Sequence, residues 1–243
     1  MTYTLRAALI ALLWSASASA DTRFGLGLGA LTGDDGYRGV DNGVDVLPLV
    51  SINSANYYFF ATQFGYEVGR FNGVEVTVLA DYRTDGFEAG DSTFLTGMAD
   101  RTGTLELGLE LEYSTDLGDF SLAMLSDVLD EHEGHEISAT YSLPIVLRSS
   151  QLTPFISVTH QSDDLVNYYY GVQSTEATST RSAYEGSATT NYEIGVQSRW
   201  QSGEHHQILT QISYETWGDA ITNSPLIESD GGVQAVVGYV YVF

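Results

Sequence analysis

The sequence predicts an all-β chain: a single antiparallel transmembrane β-barrel of the bacterial outer membrane, with twelve strands, or ten if two of them merge. Three observations carry this. The segment Gly231 to Phe243 puts Val233, Ala235, Val237, Tyr239, Tyr241 and Phe243 on one face, because side chains at i and i+2 share a face in a strand. Apolar-out, polar-in alternation recurs at roughly ten-residue spacing, the pattern of strands that cross a bilayer. The connections alternate short and long, as they do when periplasmic turns are tight and outer loops are not.

The first twenty residues read as a secretory signal. Arg6 is their only charged side chain, Ala7 to Trp14 is unbroken apolar, and Ser15 to Ala20 is a run of small residues. This stretch is too short to span a bilayer as a helix. Cleavage after Ala20 leaves one domain, residues 21–243, with no later run of the ~18 apolar residues that a transmembrane helix needs. The exported chain therefore stays soluble or enters a membrane as strands. Tyr239, Tyr241 and Phe243 decide between them, since an aromatic-ended closing strand is the barrel signal.

Composition narrows the partners. All nine basic residues are Arg; without Arg6, 8 Arg face 32 acids, a net charge of −24. Nucleic acid is excluded, since phosphate neutralisation needs a basic surface. With no cysteine there is no disulfide and no thiolate chemistry.

Taken in chain order, the elements follow from alternation. Phe24, Leu26, Leu28 and Ala30 oppose Gly25, Gly27 and Gly29. Strands near 43–53 and 56–66 precede Val74, Val76, Val78, Ala80 and Tyr82, which oppose Glu75, Thr77, Asp81 and Arg83. Leu105, Leu107, Leu109, Leu111 and Tyr113 oppose Glu106, Gly108, Glu110 and Glu112. Ile137, Ala139 and Tyr141 oppose Glu136, Ser138 and Thr140; Tyr192, Ile194, Val196 and Trp200 oppose Glu193, Gly195 and Gln197. Ile208, Ile212 and Tyr214 oppose Gln207, Gln211 and Glu215. Short turns fall at Ser54-Ala55, 116–119, 148–151 and 202–205, and long polar connections at 33–42, 85–101, 130–135, 164–189 and 219–231. Counting back from Phe243, this scheme holds through seven strands to about residue 104, and four more precede it. Eleven is odd, whereas single-chain barrels use even numbers. A short hairpin hidden in 56–73, around Tyr66 to Phe71, makes twelve.

Several stretches resemble the MipA/OmpV family of outer-membrane proteins. They are Gly25-Leu-Gly-Leu-Gly29 with Asp34-Asp-Gly-Tyr-Arg-Gly39 and Val46-Leu-Pro-Leu49; Phe64-Gly-Tyr66; Leu95 to Arg101; Ser126-Asp-Val128 with His132-Glu-Gly134; Tyr169 to Ala177 with Tyr184; and Asn223 to Ile227. The resemblance covers essentially all of residues 21–243. It implies a monomeric barrel without catalytic activity or cofactor. It also implies a scaffold linking the lytic transglycosylase MltA to a penicillin-binding protein, or roles in osmotic response, adhesion or antibiotic tolerance.

Candidate sites compete with plainer readings. Asp130, His132 and His135 fall within six residues, so they are candidates for Zn²⁺ or Ni²⁺ ligands; a solvated outer loop is the plainer use. His160, Ser162 and Asp163-Asp164 contain the groups of a hydrolytic trio, but i, i+2 neighbours stand ~7 Å apart along a strand, too far for a direct hydrogen bond. Glu75, Asp81, Glu106, Glu110, Glu112, Glu136, Glu193 and Glu215 point to the inferred lumen and would favour cations if water fills it. In a packed lumen they pair with Arg83, Arg199 or each other, or take up protons. Tyr168 to Tyr170 would fold the longest outer loop over the mouth. The expected function is a non-enzymatic scaffold in contact with lipid and lipopolysaccharide; a small cation-preferring channel or an adhesin is the alternative.

Overall fold

The computed structural model describes residues 22–40 and 43–243. The expected signal segment, 1–20, lies outside the described residues. Alternation sets each wall strand: in β6 (Leu105–Thr115), Leu107, Leu109, Leu111 and Tyr113 are exposed on the outer face while Glu106 is buried inside. Moving such an apolar side chain out of water into lipid is worth roughly 1.5–3 kcal/mol, so the outer belt is what drives strands of this pattern into a bilayer.

The other strands are β1 (Arg23–Gly33), β2 (Asp45–Asn53), β3 (Tyr57–Phe60), β4 (Gln63–Phe71), β5 (Val74–Tyr82), β7 (Gly118–Asp127) and β8 (His135–Ser142). Then come β9 (Ile145–Leu147), β10 (Ser150–Gln161), β11 (Thr189–Ser202), β12 (His206–Thr216) and β13 (Gly231–Val242). Neighbours pair antiparallel around the ring, and β1 against β13, from Gly25↔Val242 to Gly33↔Gln234, closes it. The result is a closed twelve-strand antiparallel barrel with β9 as one extra strand. Pro144 explains β9: it has no N–H to give the ladder, so β8 stops at Ser142 and the chain resumes against β10 only.

The odd strand count resolves in the region expected, but by a different turn. The single strand predicted over 56–66 is two, β3 and β4, joined at Ala61-Thr62, with Ala61 in left-handed backbone (φ 54°). Tyr66 to Phe71 is the body of β4, not the hidden turn. The next turn is Asn72-Gly73, with φ of 51° and 89°. Positive φ at both central residues matches the twist of the strands they join, which is why Asn-Gly suits a two-residue hairpin.

Tight turns at 54–56, 72–73, 116–117, 148–149 and 203–205 share one end of the barrel with the start of β1 and the end of β13. Connections 34–44, 83–104, 128–134, 162–188 and 217–230 share the other. The β3–β4 tip is an exception to this wall. Ala61 N–H donates to Val50 C=O at 3.2 Å, so residues 45–49 of β2 rise past the tip with β1 on one edge and no paired strand on the other. The outer rim is notched there.

One side of the interior is filled. Leu49, Leu209, Val240 and Val242 form a buried apolar cluster with Phe60 and Ala61 against it, and Phe155 is buried as well. The last strand is thus apolar on both faces: its Tyr239, Tyr241 and Phe243 meet lipid, and its Val240 and Val242 meet this cluster.

The closing seam makes a direct demand on Gly27. A Cβ added there would stand 1.9 Å from the Tyr239 carbonyl oxygen. Gly27→Val is expected to cost at least 1–3 kcal/mol, the usual penalty of overpacking. The fraction of heat-modifiable, folded barrel on a detergent gel should fall, while Leu28→Val, on the lipid face of the same strand, leaves it unchanged.

Candidate functional site

The long connections do not lie open. They fold into a lid with an apolar core of its own: Tyr37, Phe87, Leu95, Met98, Leu165, Val166, Tyr169, Tyr170, Val172, Trp217, Ala220, Ile221, Leu226 and Ile227 are buried together. Part of the loop predicted over 164–189 is a helix, α1 (Asp163–Tyr170), and a single turn, α2 (Asp219–Thr222), sits opposite. Ser162 starts α1 by accepting from Leu165 N–H, with Asp163 and Asp164 in the positive first turn. Leu165, Val166, Tyr169 and Tyr170 recur at helical spacing and face the lid core. Tyr37 and Tyr170 stack with centroids 5.8 Å apart, and Tyr37 Oη donates to the Tyr169 carbonyl.

Three arginines bind the loops to one another through carbonyl oxygens. Arg38 reaches Pro225 and Ile227 at 3.2 and 3.0 Å. Arg181, 2% exposed, donates to the carbonyls of Phe94 and Glu176. Arg101 donates to the Tyr168 carbonyl at 2.6 Å and pairs with Glu176 at 3.2 Å, both side chains being buried. Burial would raise the Glu176 carboxyl pKa. It is outweighed by N–H groups of Ala99 and Gln173 and by Arg101, so the pKa ends below the ordinary carboxylate value. Nothing in the apolar periodicity marks these residues. Their signal is scarcity: in a chain without Lys, these three Arg are held where a forked, permanently charged donor is needed.

Beneath the lid lies a chamber of about 180 Å³. Six of the predicted lumen acids, Asp81, Glu106, Glu110, Glu136, Glu193 and Glu215, line it. Glu75 and Glu112 lie lower, directly paired across β5 and β6, with Glu75 bound to Arg70 at 2.5 Å. At the top of the chamber Arg83 holds Glu106, Glu136 and Asp85 at 3.0, 2.7 and 2.8 Å.

His132 points down into this cluster instead of out into the loop. Its Nδ1 accepts from Gly134 N–H at 3.0 Å, which places the ring proton on Nε2, 3.2 Å from Glu106 Oε1. Both nitrogens are therefore engaged. Asp130 sits apart, exposed in left-handed backbone, and His135 joins the lid through its N–H to Ser162 Oγ. The structure does not bring Asp130, His132 and His135 together, and no group of three ligating side chains able to hold a metal occurs among the described residues. Ser162 is likewise committed as a helix cap, while His160 bonds Thr190 Oγ1 on the other side.

The barrel is thus packed on one side, covered by a lid of five loops, and holds an acidic chamber beneath that lid. Residues 26–243 match the family described as "MltA-interacting protein MipA". The chain belongs to this MipA/OmpV family. Among its relatives, outer membrane protein Omp26La of Vibrio anguillarum is 30% identical over 80% of this chain and 70% of its own length. The MltA-interacting protein of Escherichia coli K12 is 23% identical over 93% and 92%. An outer membrane channel from Pseudomonas putida F1 superposes with a TM-score of 0.47 at 12% identity, covering 94% of this chain and 97% of that one. As a member of this family, the protein is located in the outer membrane.

The lid of this MipA-family barrel should depend on the buried pair. Arg101→Ala leaves Glu176 without its cation, and breaking a buried pair from one side costs about 3–5 kcal/mol. Hydrogen exchange across 94–102 and 172–184 should accelerate while the wall strands stay protected. The sign of the pH dependence follows from the depressed Glu176 pKa. Its contribution is full above the ordinary carboxylate value of 4.5 and is lost as pH falls through the lower native value. Lid exchange corrected for intrinsic rate should therefore rise below pH 4.5 in the native protein, and Glu176→Gln should remove that rise.

Proposed function

We propose that this protein is a non-enzymatic adaptor of the outer membrane that docks a murein-remodelling enzyme on its periplasmic end. The observation that carries the reading is β9. Ile145, Val146 and Leu147 are all exposed, Val146 by 77% although it lies on the lumen-side face of its strand, while the β10 arm of the hairpin stays in the wall, paired with β11 down to Ser150↔Trp200. β7 pairs with β8 only down to Asp119↔Ser142, and β9 therefore has β10 on one edge and no strand on the other. Leu117, also 77% exposed, lies in the β6–β7 turn at the same end, its carbonyl accepting from Tyr141 Oη of β8 at 2.5 Å.

A bare strand edge with alternate apolar side chains is what strand addition by a partner uses: main-chain bonds give affinity and side-chain pockets give selectivity. The name of the Escherichia coli relative, MltA-interacting protein, supports the partner class, a lytic transglycosylase; a penicillin-binding protein, implied only by the family resemblance, is a second candidate. The lid and the packed interior weigh against a freely open pore. With lipid around its outer face and lipopolysaccharide at its outer rim, one barrel suffices for the adaptor role.

The test is binding of soluble MltA-type transglycosylase to the refolded barrel by surface plasmon resonance. Val146→Asp with Leu117→Asp should lose about 2 kcal/mol, roughly 30-fold in affinity, as expected for interface anchors. Glu106→Gln should bind like the native chain. No binding by the native barrel, or equal binding by the double variant, overturns the reading.

A further inference from the structure

We propose that the chamber under the lid is a binding site for an elongated organic polycation, a linear aliphatic polyamine, whose ammonium groups bridge carboxylates on opposite walls. This is independent of the adaptor role, which uses the other end of the molecule.

The argument starts from charge left over. Among the described residues, Arg83 and His132 take Glu106 and Glu136, and no basic side chain forms an ion pair with Glu110 or Glu193. Register adds to the concentration of negative charge: Glu193 faces Glu215 directly across β11 and β12. Like charges placed opposite one another destabilise a sheet. Apolar or amide residues would fill the same positions without repulsion.

A second observation is independent of the acids. Gln161 lines the chamber, is 4% exposed, and its Oε1 has no hydrogen-bond partner. Asp81 Oδ1, also in the chamber lining, is buried without a partner as well. A buried orphan acceptor costs about 1–3 kcal/mol. Oxygens of an amide and of carboxylates ask for the same thing, a donor that carries positive charge and has no acceptor of its own. An alkylammonium has that chemistry.

The spacing selects an elongated ligand over a metal ion. Asp81 and Glu110 are on β5 and β6, and Glu193 and Glu215 are on β11 and β12, five places away in a ring of twelve. Twelve strands ~4.8 Å apart enclose a diameter on the order of 20 Å, so these carboxylates cannot converge on one ion at ~2.3–2.6 Å. A chain of methylenes with a charge at each end can meet both walls, and its apolar middle suits Leu79, Ala123 and Leu125 in the lining. The chamber's volume of about 180 Å³ admits a linear polyamine and excludes bulky polycations. Access is at the side: Gln63 at the β3–β4 tip and Tyr82, whose ring is exposed on the outer face, also line the chamber beside the rim notch.

The experiment is isothermal titration of spermidine into the refolded barrel in detergent free of lipopolysaccharide, each variant being checked for its heat-modifiable gel shift. One saturable site is expected. Glu110→Gln and Glu193→Gln, which relieve repulsion and so should fold, are each expected to weaken it roughly tenfold, as the loss of one charged hydrogen bond does. Gln161→Leu should weaken it too, whereas Glu185→Gln, exposed on the lid, should not. Absence of saturable heat overturns the proposal. So does equal affinity in Glu110→Gln and Glu193→Gln, or full displacement of spermidine by equimolar Mg²⁺, which would mean a simple cation site.

Discussion

In hydrocarbon no water is available to satisfy a backbone N–H or C=O, and each one left bare costs several kcal/mol. The rest of this structure answers that constraint. The pairing of β1 with β13 closes the ring, so that the sheet has no free edge running the length of the wall. Pairing lapses in two places, one open toward each end of the barrel. Residues 45–49 of β2 are left beside the notch on the side of the long loops, and β9 is left at the end with the tight turns. The two positions that the structure offers to other molecules are the two at which the closed sheet is incomplete.

Closure also decides what the interior must do. A ring of twelve strands is too wide to be filled by the glycines of β1, and the side facing them is packed with Leu49, Leu209, Val240 and Val242. The opposite side keeps carboxylates. The lid then covers both by building a second apolar core out of loop residues, held by arginines that donate to carbonyls on neighbouring loops. An acidic chamber enclosed in this way has a low capacity to screen its own charge, because bulk solvent is largely kept out. Glu106 and Glu136 are accordingly paired with Arg83, while no basic side chain among the described residues forms an ion pair with Glu110 or Glu193.

Period-two alternation was legible from one end of the chain to the other, and it located the wall, the inward acids and the alternation of turns with loops. It failed where a strand is too short to show a period. β3 has four residues, fewer than two full repeats on each face, and it merged with β4 in the reading of 56–66. The Asn72-Gly73 pair was a local signal that would have separated β4 from β5, since few other dipeptides accept positive φ twice. The helix α1 was hidden for a related reason: eight residues within a long polar loop give barely two turns of apolar spacing. For the six-residue cluster around His132, proximity in sequence was a poor guide. The turn that brings His132 inward turns Asp130 outward.

By itself the sequence determined the class of fold, the direction each wall residue faces and the membrane it belongs to, because these depend on a periodicity that a bilayer enforces residue by residue. Only the tertiary structure decided that the mouth is covered, that Arg101 meets Glu176, and that Gln161 is left with an unanswered oxygen among carboxylates from opposite walls. Those contacts join residues dozens of positions apart through loops without a period. Their partners are fixed by closure of the ring and packing of the lid, and no local pattern records them.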